Sequence, residues 1–265
     1  MRLSIWIAGL LLCGHCYAEA QIRDTMLFLK KRPMLHNIVK VNLSSLALNN
    51  YSVYFERCLT KKISATLGVR IMPNTALNTT LVGVRVADLL QSDNNNDYIN
   101  SNVNNQTFTL GVRFYTGHKP GARGFYTELY GRYGNFGINY PYNYTTGGKD
   151  YYIPVTARYS GLGGGILLGS QFMISRHILM DIYIIGAHYG KMTGSLDARA
   201  DLSSMSNADK QLLRYDLEGL APALNNKQII TVQDVDNSGA KGKIDGPFLG
   251  VRALGFSIGY AFGGK

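Results

Sequence analysis

Strict alternation between apolar and polar side chains in GFYTELYGRY, residues 124–133, constrains the fold more than any other feature. Side chains alternate between the two faces of a strand, so Phe125, Leu129 and Tyr133 share one face. Glu128 and Arg132 share the other face. A soluble sheet buries its apolar face, whereas a membrane barrel turns its apolar face outward. The fold therefore depends on which of these two faces is inside.

Segments with the same alternation recur along the chain, and they predict eight strands. Tight turns alternate with long connections, apart from the first hairpin at Asn49 and Asn50. An even number of strands with short turns at one end and long loops at the other is typical of outer-membrane barrels. We therefore expect an all-β fold, an eight-stranded antiparallel transmembrane β-barrel with long extracellular loops, over residues 37–265. The predicted strands are 37–48, 51–60, 62–72, 106–116, 124–135, 155–173, 177–190 and 247–262.

The N-terminus, MRLSIWIAGLLLCGHCYAEAQ, has one basic residue, a short apolar run and a small-x-small site that ends at Ala20. This pattern predicts a secretory signal peptide over residues 1–20 and leaves residues 21–36 as an N-terminal periplasmic segment. Only Cys58 remains in the mature chain, which therefore forms no internal disulfide. An exported chain that is poor in cysteine and rich in tyrosine fits a bacterial envelope. The predicted location is the outer membrane of a Gram-negative cell.

Charged residues recur on one face of the predicted strands. A soluble barrel would expose these charges and fill its core with large apolar side chains from eight strands. Eight strands enclose room only for side chains or one small ligand, so a polar inside and an apolar outside fit better. We expect a salt-bridge network that fills the lumen and pairs Glu128 with Arg113 and Arg132, and a proton or ion path is the alternative. A bulge is expected at residues 161–165. The predicted interior network is Lys40, Glu56, Arg70, Arg113, Glu128, Arg132, Arg158 and Asp181.

The net charge of +10 is unevenly distributed over this topology. The N-terminal segment, the tight turns and the C-terminus together hold ten basic residues and one acidic residue. An excess of positive charge at the periplasmic rim suits the anionic head groups of outer-membrane lipids. The alternative is that these lysines are ordinary solvent-exposed residues of the turns and serve only solubility. The chain has no basic groove with interleaved aromatic residues and no known nucleic-acid module, so a nucleic-acid partner is not expected.

Four stretches carry a resemblance to known proteins: NIVKVNLSSLALNNYSVYFERCLTKKISATLGVRIMP, RFYTGHKPGARGFYTELYGRYG, GLGGGILLGSQFMISRHILMDIYIIGAHYG and ALGFSIGYAF. They resemble the small outer-membrane β-barrel proteins of unknown function that are common in Bacteroidetes-type bacteria. Their plan is similar to that of the eight-stranded OmpA-like and OmpX-like barrels. The resemblance implies an outer-membrane location and no known ligand. Such barrels usually end on an aromatic residue, whereas here Phe262 is followed by Gly263, Gly264 and Lys265.

Catalytic and metal-binding patterns are weak. Ser175, His177 and Asp181 share one strand face, but about 20 Å of extended strand separates the first from the last, which is too far for a relay. DNNND, residues 93–97, lacks the glycine and the distant acid of a calcium loop. DVDNSGAKGKID, residues 234–245, is closer to one, although its lysines favour a polar hairpin tip. We therefore expect no catalytic residues, no metal ligands and no cofactor.

Residues 206–219 predict a helix that begins after Ser206 and ends near Gly219. Such a helix either lids the barrel mouth, which we favour, or binds a partner. Together these features predict a monomeric, non-enzymatic barrel without an open pore, with a structural or surface-interaction role through its long loops. Its expected partners are outer-membrane lipids, the barrel assembly machinery and an unknown surface ligand. A lipid-modifying outer-membrane enzyme and a soluble periplasmic lipid-binding barrel are the alternatives.

Overall fold

A computed structural model describes residues 35–80, 100–117, 120–221 and 228–264. Within these ranges one antiparallel sheet has the strand order β10-β1-β2-β3-β4-β5-β6-β7-β9-β8. β10 also pairs with β7, which closes eight strands into a barrel and leaves β8 and β9 outside the closure. The predicted all-β fold with an eight-stranded antiparallel barrel is confirmed. The strands are β1 (Asn37–Asn42), β2 (Tyr51–Cys58), β3 (Ile63–Ala76), β4 (Asn102–Tyr115), β5 (Gly124–Thr146), β6 (Lys149–Met173), β7 (Ile178–Arg199), β8 (Ile230–Asp236), β9 (Gly239–Pro247) and β10 (Gly250–Phe262).

The barrel has two different ends. We call the end with the β2–β3, β4–β5 and β6–β7 turns the lower end, and the opposite end the upper end. Short 3-10 helices occur at Ser44–Leu48 and Leu77–Thr79. The predicted signal peptide, most of the segment 21–36 and the DNNND motif lie outside the described residues. Among the described residues, no helix has the length and hydropathy needed to cross a bilayer.

The first strand is shorter than predicted. The prediction of a strand over 37–48 is wrong, because β1 ends at Asn42 and a 3-10 helix follows. The side-chain oxygen of Asn42 accepts hydrogen bonds from the backbone N–H of Ser45 at 3.0 Å and from the hydroxyl of Ser44 at 2.7 Å. This local bonding gives the backbone an alternative to the strand ladder. Asn49 then adopts φ 52°, in the left-handed region, and reverses the chain.

β5, β6 and β7 are longer than predicted, with 23, 25 and 22 residues. The segment between Phe136 and Pro154 was expected to be a long loop, and it is a continuous hairpin whose turn is Gly147 and Gly148. Both glycines have positive φ, 58° and 71°, as a two-residue type I′ hairpin turn requires. The upper parts of these strands therefore rise beyond the barrel, and we call them, together with β8 and β9, the sheet extension.

The polarity of β5 inverts along its length. In the barrel its outer face carries Phe125, Leu129 and Tyr133, all exposed, while its inner face buries Glu128 and Arg132. Further up, the outer face becomes polar and the inner face becomes aromatic. The outer residues there are Asn135, Asn139, Asn143 and Thr145, and the inner ones are Phe136, Ile138, Tyr140, Tyr142 and Tyr144.

β6 and β7 invert at the same level. On β6 the outer face changes from Leu162, Ile166 and Leu168 in the barrel to Arg158 and Thr156 in the extension. On β7 the outer face changes above Tyr189, where Lys191, Thr193 and Ser195 follow. The inner faces of both strands become apolar above this level, with Ile153, Val155, Leu196 and Ala198 buried.

The register shift between β6 and β7 lies away from the predicted bulge. Pairing between β6 and β7 is continuous through Gly161 and Gly165, and the shift occurs between Leu168 and Gly169, where Ile184 is the extra residue on β7. The expectation of a bulge at residues 161–165 is therefore wrong. The Phe248 side chain occupies the space beside Gly161, and the backbone of β7 lies beside Gly163 and Gly165.

The predicted helix exists as α1 (Asn207–Gly219). The hydroxyl of Ser206 accepts a hydrogen bond from the backbone N–H of Asp209 at 3.1 Å, which is a standard N-cap. Leu213 and Leu217 on one side of α1 are fully buried against the inner face of the sheet extension. The long connection predicted for residues 191–246 is thus the end of β7, α1, and the β8–β9 hairpin.

Candidate functional site

Five charged side chains from five strands meet inside the lower half of the barrel. The register brings them together: Arg113 on β4 lies directly opposite Glu128 on β5 and, on its other side, opposite Ser64 on β3. All five are almost completely buried, with relative exposures of 0–4%. We call Lys40, Glu56, Arg113, Glu128 and Asp181 the charge cluster.

Two cations bridge three carboxylates in the charge cluster. Lys40 Nζ donates to Glu56 Oε2 at 2.7 Å and to Asp181 Oδ2 at 2.6 Å. Arg113 donates from Nη1 to Asp181 Oδ2 at 2.7 Å and from Nε to Glu128 Oε2 at 2.8 Å. Arg113 Nη1 also lies 3.4 Å from Glu56 Oε2. Asp181 is therefore shared by both cations, and the five groups form one connected network rather than separate pairs.

Hydroxyl groups complete the coordination of the three carboxylates. A buried charge is costly unless it is paired and its remaining lone pairs are hydrogen-bonded. Each carboxylate of the cluster meets that condition, because each accepts a hydrogen bond from at least one hydroxyl group. The hydroxyl of Tyr115 donates to Glu56 at 2.6 Å, that of Tyr126 to Asp181 at 2.7 Å and that of Thr66 to Glu128 at 2.8 Å. Glu56 accepts a second hydroxyl bond, from Ser64.

Glycines on the inner wall make room for these side chains. A Cβ atom at Gly111 would lie 2.6 Å from Glu128 Oε1 and 2.7 Å from Thr66 Oγ1. A Cβ atom at Gly259 would lie 2.7 Å from Lys40 Cγ. Real Cβ atoms do not approach so closely, so the lumen is packed by pairing small residues with large ones.

A second layer of cations lies above the charge cluster, and we call Arg70, Arg132 and Arg252 the arginine layer. Arg132 and Arg252 are 6% and 8% exposed, and Arg70 is half-buried. Arg132 Nε donates to Thr109 at 3.2 Å, Arg70 Nε donates to Ser52 at 3.0 Å, and Arg252 Nη2 donates to Tyr54 at 3.2 Å. The expected pair of Glu128 with Arg113 is present, whereas Arg132 bonds to a threonine instead of Glu128.

Arg252 was not in the sequence-predicted set. Its residue number is even, as are those of the outward Leu254, Phe256 and Ile258. Strict alternation along the strand therefore predicted that Arg252 would lie outside the barrel. In the structure Ala253 and Leu254 are both exposed, so the phase of β10 changes between them and Arg252 turns inward. The only sequence signal is a single arginine on an otherwise apolar strand face.

Arg158 was predicted inside the barrel and is exposed on the outer face of the sheet extension. The prediction is wrong because it assumed a change of phase at residues 161–165. Without that change, Arg158 shares the face of Leu162, which is 65% exposed. The remaining seven predicted network residues, Lys40, Glu56, Arg70, Arg113, Glu128, Arg132 and Asp181, all have inward parity in their strands.

Aromatic rings lie across the lumen above the arginine layer. Phe248, between β9 and β10, is 6% exposed, and its ring centroid lies 4.8 Å from that of His188 and 5.8 Å from that of Phe136. His188 Nδ1 is in turn 3.3 Å from the hydroxyl of Tyr130. These rings narrow the upper end of the lumen.

The weak catalytic candidates do not form a site. His177 Nδ1 hydrogen-bonds the backbone oxygen of Ala261 at 2.9 Å, and Ser175 Oγ accepts the backbone N–H of Ile178 at 3.2 Å at the β6–β7 turn. Asp181 is inside the barrel, held by the charge cluster. The three groups therefore have separate partners.

The segment 234–245 forms the β8–β9 hairpin, the alternative that its sequence favours. Asp234 pairs opposite Lys241, which places Asp245 four residues further along β9. At about 3.3 Å per residue the two carboxylates that would begin and end a calcium loop are roughly 13 Å apart along the strand. In the described part of the chain, no three His, Cys, Asp or Glu residues are placed to hold a metal ion.

α1 spans the inner face of the sheet extension. On the β5 side, Thr146 donates to Asp209 at 2.7 Å, and the carboxylate of Asp216 accepts the hydroxyl of Tyr142. Burial, with Asp216 nearby, raises the pKa of Tyr142. On the β8 side, Arg214 Nη2 donates to the backbone oxygen of Val232 at 2.5 Å. These contacts attach α1 to the extension, and a lid role for it stays a prediction.

Comparisons with known proteins identify no family for this chain. No protein-family model matches the chain, and no curated protein matches it. Among solved structures, the crystal structure of Acinetobacter baumannii CarO is similar, with a TM-score of 0.40 and 10% sequence identity. The match covers 87% of this chain and 98% of CarO.

Proposed function

We propose that this chain is an outer-membrane β-barrel that conducts no ions and that presents the sheet extension and α1 at the cell surface for interaction with a partner. The observation that carries the proposal is the inversion of polarity along β5, β6 and β7. An apolar outer face around a charged interior is stable only where the surroundings are hydrocarbon. A polar outer face around an apolar core is stable in water. One set of strands therefore crosses from one solvent into the other.

The height of the apolar belt fits a bilayer. On β5 the belt extends from Phe125 to Tyr133, which is nine residues. A transmembrane strand needs about 9–11 residues. Aromatic side chains stand at both margins, as in the girdles of membrane barrels. They are exposed: Phe114, Phe125, Phe172, Tyr260 and Phe262 at the lower margin, and Tyr51, Phe108, Tyr133 and Tyr189 at the upper one.

The orientation follows from the turns. Outer-membrane barrels keep short turns in the periplasm and long connections outside the cell. The lower end is then periplasmic, and Lys61, Lys62 and Arg176 at its turns face anionic head groups. The sheet extension and α1 are extracellular. The exposed side of α1 carries Leu212 and Tyr215, 55% and 68% exposed, which suits contact with another molecule.

The packed lumen supports a barrel without an open pore. The charge cluster fills the lower half, and the space left beside Lys40, Arg113 and Arg252 is about 10 Å³. That is about the room needed by one water molecule. The same packing disfavours a soluble lipid carrier, because a lipid chain needs an apolar cavity. It also offers no substrate access to Asp181, which disfavours a lipid-modifying enzyme.

The barrel satisfies its own strand edges, since β10 pairs with both β1 and β7. A closed barrel needs no second copy to protect its edges. We therefore propose a monomer that the barrel assembly machinery inserts and that outer-membrane lipids surround.

Differential extraction tests the location. Membranes that contain the full chain are washed with 1 M salt and then with detergent, and each soluble fraction is run on a gel with and without boiling. We expect release by detergent only, and a shift in apparent size between unboiled and boiled samples. Release by salt alone, with identical migration of both samples, would show a soluble barrel.

A further inference from the structure

Polar side chains form rows on the outer face of the sheet extension, directly above the apolar belt. The register of β5, β6, β7 and β9 places the outward residues of neighbouring strands opposite one another in each row. The row at the margin of the belt contains Tyr133, Leu162 and Lys191. The next row contains Asn135, Ser160, Thr193 and Asp245, and the third contains Gly137, Arg158, Ser195 and Lys243. We call these two upper rows, together with Lys191, the rim face.

The rim face carries three bases and one acid. The acid is Asp245, whose Oδ1 lies 3.5 Å from Lys191 Nζ; the pair is weak, because 48% and 71% of these side chains are exposed. Among the described residues, no ion pair within 4.0 Å includes Arg158 or Lys243. These two bases start from β6 and β9 with only β7 between them, so their strands are about 10 Å apart. Two long side chains can converge on one anion across that distance.

Acids higher on the same face lie beside bases of their own. Asp197 Oδ2 lies 3.0 Å from Arg199 Nε, and Asp234 lies opposite Lys241 in the register of β8 and β9. Asp197 and Arg199 also line the upper of two grooves that flank Arg158, which has a volume of about 450 Å³. That groove is less suited to an anion because of its carboxylate. The excess of positive charge therefore lies below these acids, in the third row.

The lower of the two grooves combines contacts for a sugar and for a phosphate. Its volume is about 360 Å³, within the range of clefts that bind small ligands. Besides Arg158, its lining includes the hydroxyl and amide groups of Asn104, Asn135, Ser160 and Thr193, and no acid is among the described residues that line it. Hydroxyl and amide groups both donate and accept hydrogen bonds, as sugar hydroxyls require. The guanidinium of Arg158 is suited to phosphate, which it can bind through two parallel hydrogen bonds.

The height of Arg158 favours a phosphate on a sugar over the phosphate of a phospholipid. Arg158 lies four residues above Leu162 on β6, which is about 13 Å along the strand and about 10 Å in height for a strand tilted by roughly 40°. The head-group layer of a bilayer is about 5–7 Å thick on each side. An anion at the level of Arg158 therefore stands above the phospholipid phosphates, where a lipid with a carbohydrate head group can place one.

We propose that the rim face binds a phosphorylated glycolipid of the outer leaflet. A phosphate group of the lipid accepts hydrogen bonds from Arg158 and Lys243, and the sugar hydroxyls lie in the lower groove. The acyl chains lie along the apolar belt, below Leu162. The site rests on the proposed outer-membrane location and adds to it the chemical class of one lipid partner.

Lipid titration of the purified barrel in detergent tests the site, with bound lipid counted by native mass spectrometry. The probes are lipid A, which is a bisphosphorylated disaccharide lipid, its dephosphorylated form, and phosphatidylglycerol. We expect lipid A to bind most tightly, and Arg158→Gln with Lys243→Gln to weaken its binding about ten- to thirtyfold. The matched control is Lys61→Gln with Arg176→Gln, which removes two charges from exposed positions at the lower end and should bind lipid A as the wild type does. Both double variants should keep the gel shift of the folded barrel, since all four side chains are exposed.

Equal binding of lipid A by the wild type and by the rim-face double variant would overturn the proposal. An equal loss in the control variant, or binding of phosphatidylglycerol as tight as that of lipid A, would do the same, because the barrel would then respond to charge in general. Differential extraction tests the location separately. A barrel that only detergent releases and that fails this titration would contradict the lipid site and leave the outer-membrane location intact.

Discussion

Arg113 on β4 donates its Nε to Oε2 of Glu128, the residue directly opposite on β5, at 2.8 Å. The same guanidinium reaches across the lumen to Asp181 on β7 at 2.7 Å. One side chain therefore ties adjacent strands together and joins opposite walls of the barrel. The charge cluster depends on Arg113 more than on any of its acids, because it contains three carboxylates and only two cations.

Removal of this cation should destabilise the barrel strongly. In Arg113→Gln, Lys40 remains as the one cation of the cluster for Glu56, Glu128 and Asp181. We expect a loss of about 3–5 kcal/mol in the free energy of unfolding, because buried charges are left uncompensated. Urea unfolding in detergent or lipid vesicles measures it. The matched control is Arg158→Gln on the outer surface, which should change stability by less than about 0.5 kcal/mol. Similar losses in the two variants would show that the cluster is not a buried network.

Glu128 offers a graded version of this test. Glu128→Ala removes the partner of Arg113 and Thr66 and should cost more than Glu128→Gln, which keeps an oxygen acceptor. A buried, hydrogen-bonded acid should cost about 3–5 kcal/mol on truncation, whereas a surface pair is worth about 0–1 kcal/mol. A loss for Glu128→Ala within the smaller range in the same unfolding experiment would contradict the charged interior.

Two glycines on neighbouring strands should respond oppositely to alanine. Gly111→Ala places a Cβ 2.6 Å from Glu128 Oε1 and should cost about 1–3 kcal/mol through overpacking. Gly131 faces outward, and a Cβ atom added there would meet no other atom within 4 Å. Gly131→Ala should be neutral or stabilising by up to about 1 kcal/mol, because alanine loses less conformational entropy in a strand. Equal effects in unfolding measurements would show that the inner wall has spare room.

The sequence predicted the barrel and much of its interior because side chains alternate regularly over most of the belt. It did not predict the sheet extension, where Pro141 and Pro154 argue against strands. These prolines pair opposite each other at positions where a neighbouring strand has ended, since pairing with β4 reaches only Asn139 and pairing with β7 begins at Val155. A proline at such an unpaired edge removes no ladder bond.

Local phase changes caused the errors within the site. Arg252 was missed because the alternation of β10 was extended across Ala253 and Leu254, where the phase changes. Arg158 was wrongly included because a change of phase was assumed at residues 161–165, where none occurs. Both depend on the pairing of β7 with its two neighbours, which is irregular between Ala253 and Gly255 and continuous beside Gly161 and Gly165. That Arg132 bonds to Thr109 and not to Glu128 is likewise a tertiary property that strand parity alone does not contain.

The packed lumen should prevent ion conduction. In planar bilayers the wild-type barrel should show no steady conductance, because the buried charge cluster and the Phe248 ring fill the described part of the lumen. Arg113→Ala with Glu128→Ala removes a paired cation and acid together and serves as the control for an opened lumen. A large, steady conductance in the wild type would contradict the closed barrel.

The attachment of α1 should weaken in acid. The carboxylate of Asp209 accepts hydroxyl bonds from Ser206 at 2.6 Å and Thr146 at 2.7 Å, which hold its pKa below the usual range. A lowered pKa means that this stabilisation is present above the ordinary aspartate pKa, about 4, and is lost as the pH falls through the folded value. Hydrogen exchange of the first turn of α1 should therefore be faster, relative to the barrel, at pH 3 than at pH 6. Asp209→Asn should remove this difference between pH 3 and pH 6. If the difference persists in the variant, a group other than Asp209 causes it.

Two lysine substitutions on the outer face of β5 distinguish lipid from water around the barrel. Leu129 and Asn139 are both exposed and share that face, but Leu129 lies within the apolar belt and Asn139 above the inversion. In a bilayer, Leu129→Lys should cost about 2–4 kcal/mol, since a charged side chain near the midplane of a membrane barrel is unfavourable. Asn139→Lys should cost less than about 0.5 kcal/mol, because it remains in water. Unfolding from lipid vesicles measures both. If the barrel were soluble, Leu129→Lys would replace one exposed side chain by a better solvated one, and both variants would then be as stable as the wild type.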